Sequence, residues 1–309
     1  MEDGSQTTQA YPWICRGFLR TIDPQEIGAD RDKNRSVQVK SGQLKGGSHV
    51  DILVLLKQVP STESLIEIGE DGVSIKTDDL KWVINPYDEL AVEEALRLRE
   101  THGGVVTILT VGREKAVEAV RTALAMGADK GVLISDPVLE DCDSLSTAKV
   151  LAAAAKEMPF DLIVAGQRAV DDDAYIVGSA VAEALGIPSI SMVTKEEIAE
   201  NRITCHKTID GGVAVVEAPL PALITTQRGL NDPRYASLPG IMKAKKKPLE
   251  NKTLTDLGLD PQTLSVSKMK VVALKPPPER KGGRVIEGET PQEKARELVR
   301  ILREDAKVI

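Results

Sequence analysis

Three consecutive acids, Asp171-Asp172-Asp173, stand in a polar loop between two apolar segments. Before them Asp161-Leu162-Ile163-Val164-Ala165 is an apolar run of strand length that ends at Gly166. After them Ile176, Val177, Ala180, Val181, Ala184 and Leu185 recur at helical spacing. A strand, a glycine turn and a helix leave free N–H groups beyond the strand's carboxyl end, and a helix N-terminus favours a phosphate. Bare carboxylates would repel that phosphate. A binding role therefore needs a division of labour, with some acids on ribose hydroxyls and the N–H groups near Val177 and Gly178 on the phosphate. The other reading makes the acids solvated residues of the helix's first turn, where negative charge favours the macrodipole.

Two further stretches carry candidate chemistry. Asn85-Pro86-Tyr87-Asp88 has the composition of a capped turn, and Asn before an apolar-periodic run is a helix-start signal. Tyr87 stands out, because only 3% of the chain is aromatic, and a flat ring at a helix mouth could cover a ligand. From Arg228 to Met242, charge, turn residues and exposed-looking apolars mix without a period, as in functional loops. Lys243, Lys245, Lys246 and Lys247 follow. Alone they read as a solvated face; beside Leu238, Ile241 and Met242 they suit a partner-docking surface.

Other chemistries are excluded by what the chain lacks. It has no Walker A, G-x-G-x-x-G, H-E-x-x-H or G-x-S-x-G pattern, and His49, His102 and His206 are scattered. An independent hydrolase or metalloenzyme is not expected. Cys15, Cys142 and Cys205 are few, odd in number and without metal-like spacing, which fits a reducing cytoplasm. The net charge of −7 argues against nucleic-acid binding. No apolar run has membrane-span length and no signal peptide is visible, so membrane insertion is not expected.

The elements that must position these residues follow from an aliphatic composition, 41% apolar and 28% charged. Strands are expected at Asp51–Leu56, Val105–Val111, Val132–Ser135 and Asp161–Ala165, with a hairpin excursion near Gly72 at Val73–Lys76. Helices are expected from Asn85, with Leu90, Ala91, Ala95 and Leu98 as the apolar face, and over about Lys115–Met126 and Ser144–Glu157. Five β elements alternating with helices before Pro188 predict an α/β fold, a doubly wound, mainly parallel Rossmann-like sheet. Beyond Pro188, Ile203–Ile209 and Val213–Glu217 read as two strands joined at Gly211-Gly212, and Pro219–Thr226 as a strand entering the long loop. A short helix near Thr255-Asp256-Leu257, the rigid Pro276-Pro277-Pro278 and a helix over about Thr290–Asp305 complete an extended C-terminal arm. Residues 1–49 lack a period and read as disordered or as a non-native extension, with Val50 as the alternative start. The expected division is thus 1–49, an α/β domain at 50–248 that includes loop 228–247, and an arm at 249–309.

Four separated stretches in order resemble the β subunit of electron transfer flavoprotein. They are Asn85 to Glu89 with Ala91 to Ala95, Arg121 to Asp129, Gly166 to Asp173, and Arg234 to Lys247. The likeness covers nearly everything from Asp51 onward, and the last stretch is the most specific. It implies an adenine nucleotide alpha hydrolase-like fold and a heterodimer with an α subunit that holds FAD, while this subunit binds AMP. Carried over by position, the AMP site comprises Leu55, Asn85, Pro86, Tyr87, Asp88, Val111, Gly166, Gln167, Arg168, Ala169, Val170, Asp171, Asp172, Asp173, Ala174, Tyr175, Ile176 and Val177, with Tyr87 near the α-subunit flavin. Leu238 would anchor docking to acyl-CoA-type dehydrogenases, with Pro239, Ile241, Met242, Lys243 and Lys246 around it, and a membrane quinone oxidoreductase would accept electrons. In the bifurcating branch of the family a second FAD takes the AMP place and NADH binds at the interface. Here the unbroken acid triplet and Ser179 favour AMP, whereas Val177-Gly178 and the ending Glu287-Gly288-Glu289-Thr290 through Ile309 look like the bifurcating branch. A third class, a free-standing regulator of universal-stress type, shares the sheet and an adenine site without needing the docking loop or the arm.

Overall fold

The structure, a computed structural model, describes residues 49–264, 269–278 and 282–309. Residues 1–48, on which the expected disordered or non-native extension falls, lie outside the described residues. In chain order the strands are β1 (Ile52–Leu55), β2 (Gln58–Pro60), β3 (Trp82–Ile84), β4 (Val106–Val111), β5 (Lys130–Ile134), β6 (Leu162–Gly166), β7 (Ser189–Ala199), β8 (Arg202–Ile209), β9 (Gly212–Pro219), β10 (Ala222–Thr226) and β11 (Leu249–Lys252). The helices are α1 (Pro86–His102), α2 (Val117–Met126), α3 (Ser144–Ala155), α4 (Val177–Leu185), α5 (Leu238–Ala244), α6 (Pro261–Leu264) and α7 (Pro291–Glu304).

β1 is four aliphatic residues, all buried, because both faces of a parallel strand are covered by helices. Its side chains alternate between the faces. Ile52 and Val54 join one core with Ala91, Ala95 and Leu96 of α1 and Val120 and Leu124 of α2. Leu53 and Leu55 join the other with Leu151 and Ala155 of α3 and Val181 of α4. Each such leucine or isoleucine taken out of water contributes about 1.5–3 kcal/mol. The sheet has nine strands in the order β11-β5-β4-β1-β6-β10-β7-β8-β9, parallel from β11 to β7 and antiparallel at β8 and β9. From β1 the chain builds outward through β4 and β5, then returns to β6 on the other side. That reversal sits at the carboxyl ends of β1 and β6, where such sheets bind ligands.

The α/β class and the doubly wound arrangement match the reading of the sequence, with four corrections. The β element at Val73–Lys76 is only an isolated bridge, Ile68 to Ile75. The eleven-residue β7 was not anticipated. Met192 takes a left-handed φ of 61° and the register shifts between Val193 and Lys195, so the alternation changes phase in mid-strand. The short antiparallel pair β2–β3 was also missed. Finally, β11 pairs with β5, which places the start of the expected arm inside the sheet.

The described chain forms two compact units. One comprises the residues up to Ile66 with Lys76–Lys270, and the other Glu67–Ile75 with Val271–Ile309. In the second, the Leu274 amide donates to the Gly72 carbonyl at 2.8 Å. There α7 begins at Thr290, whose side chain and that of Glu293 form a reciprocal capping box.

Candidate functional site

The site is organised by the first turn of α1. Asn85 does not cap the helix with its side chain as expected; its backbone carbonyl accepts the first bonds, from the Asp88 and Glu89 amides at 2.8 and 3.0 Å. The side chain instead crosses to the acid loop. Its Nδ2 donates to the Arg168 carbonyl at 2.8 Å and its Oδ1 accepts from the Val170 amide at 3.1 Å. Asp88, 6% exposed, joins the two strand ends: Oδ2 accepts from the Lys57 amide at 2.7 Å and Oδ1 from the Gly166 amide at 3.0 Å. Burial pushes its carboxyl up to about 7, against these two donors. A Cβ at Gly166 would lie 2.3 Å from Asp88 Oδ1, so the approach demands glycine.

Tyr87 is buried, and its ring is no lid. Its hydroxyl accepts from Arg168 Nη2 at 3.0 Å, and the Arg168 and Arg228 guanidiniums lie 4.9 and 5.9 Å from the ring centroid. The Thr226 hydroxyl donates to the Tyr87 carbonyl at 2.8 Å. The ring is therefore a platform that holds two arginines.

The acid loop is pinned by cations from elsewhere. Lys57 Nζ, just past β1, donates to Asp171 at 2.9 Å and to Asp172 at 3.2 Å, while Asp173 pairs with Arg168. Asp173 and Tyr175 adopt left-handed φ of 49° and 59°, a strain typical of functional loops. Helix α4 starts only at Val177, so the acids precede it and do not occupy its first turn. Ile176 offers no side-chain cap, leaving the first N–H groups of α4 available to an anion. Gly178 lets α4 lie close on β10, since a Cβ there would be 2.9 Å from Thr225 Cγ2.

Together these elements enclose a cavity of about 440 Å³, within the range of small-ligand sites. Leu55, Val111, Ala116, Leu139 and Leu151 give its wall apolar surface; Lys57, Gln58, Asp171 and Asp172 supply polar groups. Arg113 and Glu140, also in the wall, pair at 3.1 Å. Gln167 Oε1 and Arg168 Nε, in wall residues, are buried without a hydrogen-bond partner. Apolar wall residues for a base, carboxylates for hydroxyls and an uncapped helix start for a phosphate fit a nucleotide.

Of the residues singled out in the sequence, Leu55, Asn85, Asp88, Val111, Gly166 to Ala169, Asp171, Asp172 and Ala174 to Val177 line this cavity. Pro86, Tyr87, Val170 and Asp173 do not, although Tyr87, Val170 and Asp173 tie the loop through Arg168 and Asn85. Missed were Lys57, Arg113, Asp136, Glu140 and Thr147. Reading one or two positions past each parallel strand would have found Lys57, Arg113 and Asp136, because that is where the crevice opens. Among the described residues, no group of three or more His, Cys, Asp or Glu could hold a metal ion, and no helix is long and apolar enough to cross a membrane.

The stretch from Arg228 to Lys247 is more ordered than its aperiodic sequence suggested. Asn231 Nδ2 donates to the Leu90 carbonyl and to Glu94 at 3.0 and 2.6 Å, and Arg234 grips the buried Glu93 through Nε at 2.7 Å and Glu100 through Nη1 at 2.6 Å. Then Ser237 caps α5, accepting from the Gly240 amide at 3.1 Å. Arg121 of α2 donates to the Ala244 and Lys247 carbonyls, and Lys247 Nζ donates to three carbonyls at the end of α2. With its base fixed, the segment holds out Tyr235, Leu238 and Met242, which are 98%, 80% and 73% exposed. Pro239, Ile241, Lys243 and Lys246 are exposed beside them.

The electron transfer flavoprotein domain matches residues 73–257. An electron transfer flavoprotein subunit beta of Bacillus subtilis is 46% identical over 261 residues, which span 84% of this chain and all of that relative. The mammalian subunit of the same name, from Bos taurus, is 37% identical over 76% of this chain and 92% of its own. A caffeyl-CoA reductase-Etf complex subunit CarD of Acetobacterium woodii is also 37% identical, over 82% of this chain and 98% of its own.

Proposed function

The chain belongs to the beta-subunit family of electron transfer flavoproteins, and on that premise we propose that it works in a heterodimer with a flavin-holding α subunit and binds AMP in the cavity beyond β1 and β6. The observation that carries this reading is the cavity itself, of about 440 Å³, whose wall brings together apolar side chains, the Asp171 and Asp172 carboxylates and the uncapped start of α4. Leu55, Val111 and Leu151 would enclose the base, Asp171 and Asp172 would accept from ribose hydroxyls, and the first amides of α4 would meet the phosphate. The nucleotide supplies no chemistry. It completes the fold around Arg168 and Tyr87, whose cationic platform would face the partner's FAD.

Electrons pass between proteins that must meet and part quickly. A single apolar anchor on a fixed helix suits that, because weak binding with fast release needs a small contact. Leu238 is that anchor in this reading, with Tyr235 and Met242 beside it, docking acyl-CoA-type dehydrogenases in the cytoplasm; a membrane quinone oxidoreductase is the expected acceptor. The relative named as a subunit of a caffeyl-CoA reductase-Etf complex supports a second reading, in which FAD takes the AMP place and the complex bifurcates electrons.

Purifying the complex with its α subunit and releasing its nucleotides tests both. One FAD and one AMP per heterodimer is the expected result. Two FADs would replace the first reading by the second, and a chain that purifies alone without nucleotide would refute both.

A further inference from the structure

The cavity joins two features that oppose each other: an uncapped helix start suited to an anion, and an adjoining loop with three consecutive carboxylates. Asp173 is neutralised inside the loop by Arg168. Asp171 and Asp172 face the cavity, and the counter-charge for them comes from a strand more than a hundred residues earlier. Lys57 Nζ lies 2.9 Å from Asp171 and 3.2 Å from Asp172. The two arginines of the wall are committed elsewhere, Arg113 to Glu140 and Arg168 to Asp173 and Tyr87, and among the described contacts Asp171 and Asp172 pair with Lys57 rather than with Lys115, the other lysine of the wall.

The backbone of Lys57 is held at two points. Its amide donates to Asp88 at 2.7 Å, and its carbonyl accepts from the Asn85 amide at 2.9 Å. The same two residues, through the Asn85 and Asp88 side chains, bind the acid loop and the end of β6. One clasp thus sets the spacing between the amine and the carboxylates. Burial works against the charged amine, but the two carboxylates outweigh it and hold its pKa above the ordinary lysine value, so it stays protonated.

Resting on the nucleotide reading above, we propose that Lys57 is a positioning residue for an anionic nucleotide: it neutralises Asp171 and Asp172, so that they serve as hydroxyl acceptors without repelling a phosphate at the start of α4. An unscreened pair of carboxylates penalises only the charged part of the ligand, because Coulomb repulsion acts on phosphate and not on a neutral nucleoside.

The test uses the co-purified complex after its nucleotide is dialysed out, with AMP and adenosine as probes. Lys57→Met should weaken AMP by about 10- to 100-fold, the range of a charge-assisted contact, and adenosine by less than about threefold. Lys57→Arg should keep AMP affinity. The triple variant Lys57→Met/Asp171→Asn/Asp172→Asn should recover most of the AMP loss, since neutral amides need no counter-charge. Equal weakening of AMP and adenosine, or no recovery in the triple variant, makes the lysine structural and overturns the proposal. Wild-type binding of AMP with Lys57→Met unaffected also overturns it while sparing the nucleotide reading. A wild-type complex that takes neither AMP nor FAD ends both.

Discussion

Replacing Arg234 by alanine isolates how the segment that carries the exposed Leu238 is held in place. Arg234 contacts Glu93 three times, through its amide at 3.1 Å, Nε at 2.7 Å and Nη2 at 3.0 Å, and reaches Glu100 as well. The Glu93 side chain is 4% exposed and that of Arg234 is 36% exposed. Breaking a fully buried pair costs about 3–5 kcal/mol, whereas a surface pair is worth about 0–1. Arg97 Nε, 3.0 Å from Glu93, would remain as partial compensation. A loss of about 2 kcal/mol follows, between those limits. Burial works to raise the Glu93 carboxyl, but its bonds to Arg234 and Arg97 prevail and hold it below the ordinary carboxylate value. A carboxylate depressed in the folded state stabilises above its unfolded pKa of about 4.3 and loses that contribution as pH falls through the folded value. The gap between wild type and variant, measured by urea unfolding, should therefore be full at pH 7 and shrink below about pH 4, where Glu93 takes up a proton. A gap below about 0.5 kcal/mol at pH 7, or one that stays constant into acid, would refute the reasoning.

Three further outcomes are expected. Asp88→Ala leaves the half-buried Lys57 and Gly166 amides without acceptors, at about 1–3 kcal/mol each, so chemical unfolding should show a loss of about 2–5 kcal/mol; a loss under 1 would mean that the clasp is dispensable. Gly166→Ala drives a methyl into Asp88 Oδ1 and Tyr87, so nucleotide content should fall together with thermal stability, and full occupancy at wild-type stability would count against the tight approach. Leu238→Ala should raise the KM for the reducing dehydrogenase by about 10-fold or more, as loss of a binding hot spot does, with flavin content and melting temperature unchanged because the side chain is 80% exposed; unaltered partner kinetics would remove it as the anchor.

The sheet was largely legible because parallel strands covered on both sides must be unbroken aliphatic runs. Ile52–Leu55 and Leu162–Ala165 could be little else, and α7 announced itself through Ala295, Leu298, Val299 and Leu302 at helical spacing. β7 escaped because Met192 turns left-handed and resets the alternation, and because the charged run Lys195-Glu196-Glu197 looks like a loop. The stretch containing Leu238 was recognisable by its mixed composition, yet its short capped helix was not, since seven residues are too few to display a period.

The sequence alone determined the α/β class and the strand–glycine–helix crevice at Gly166 to Val177, both consequences of local pattern. Only the tertiary structure decided what the polar residues do there. Asn85 looked like a helix cap and became a tie to Arg168 and Val170; Tyr87 looked like a lid and became a platform for two arginines. Asp88 meets Gly166 across 78 positions, and Lys57 meets Asp171 across 114. A side chain's hydrogen-bond partners are set by which strand ends the sheet brings together, and local spacing carries no record of that adjacency.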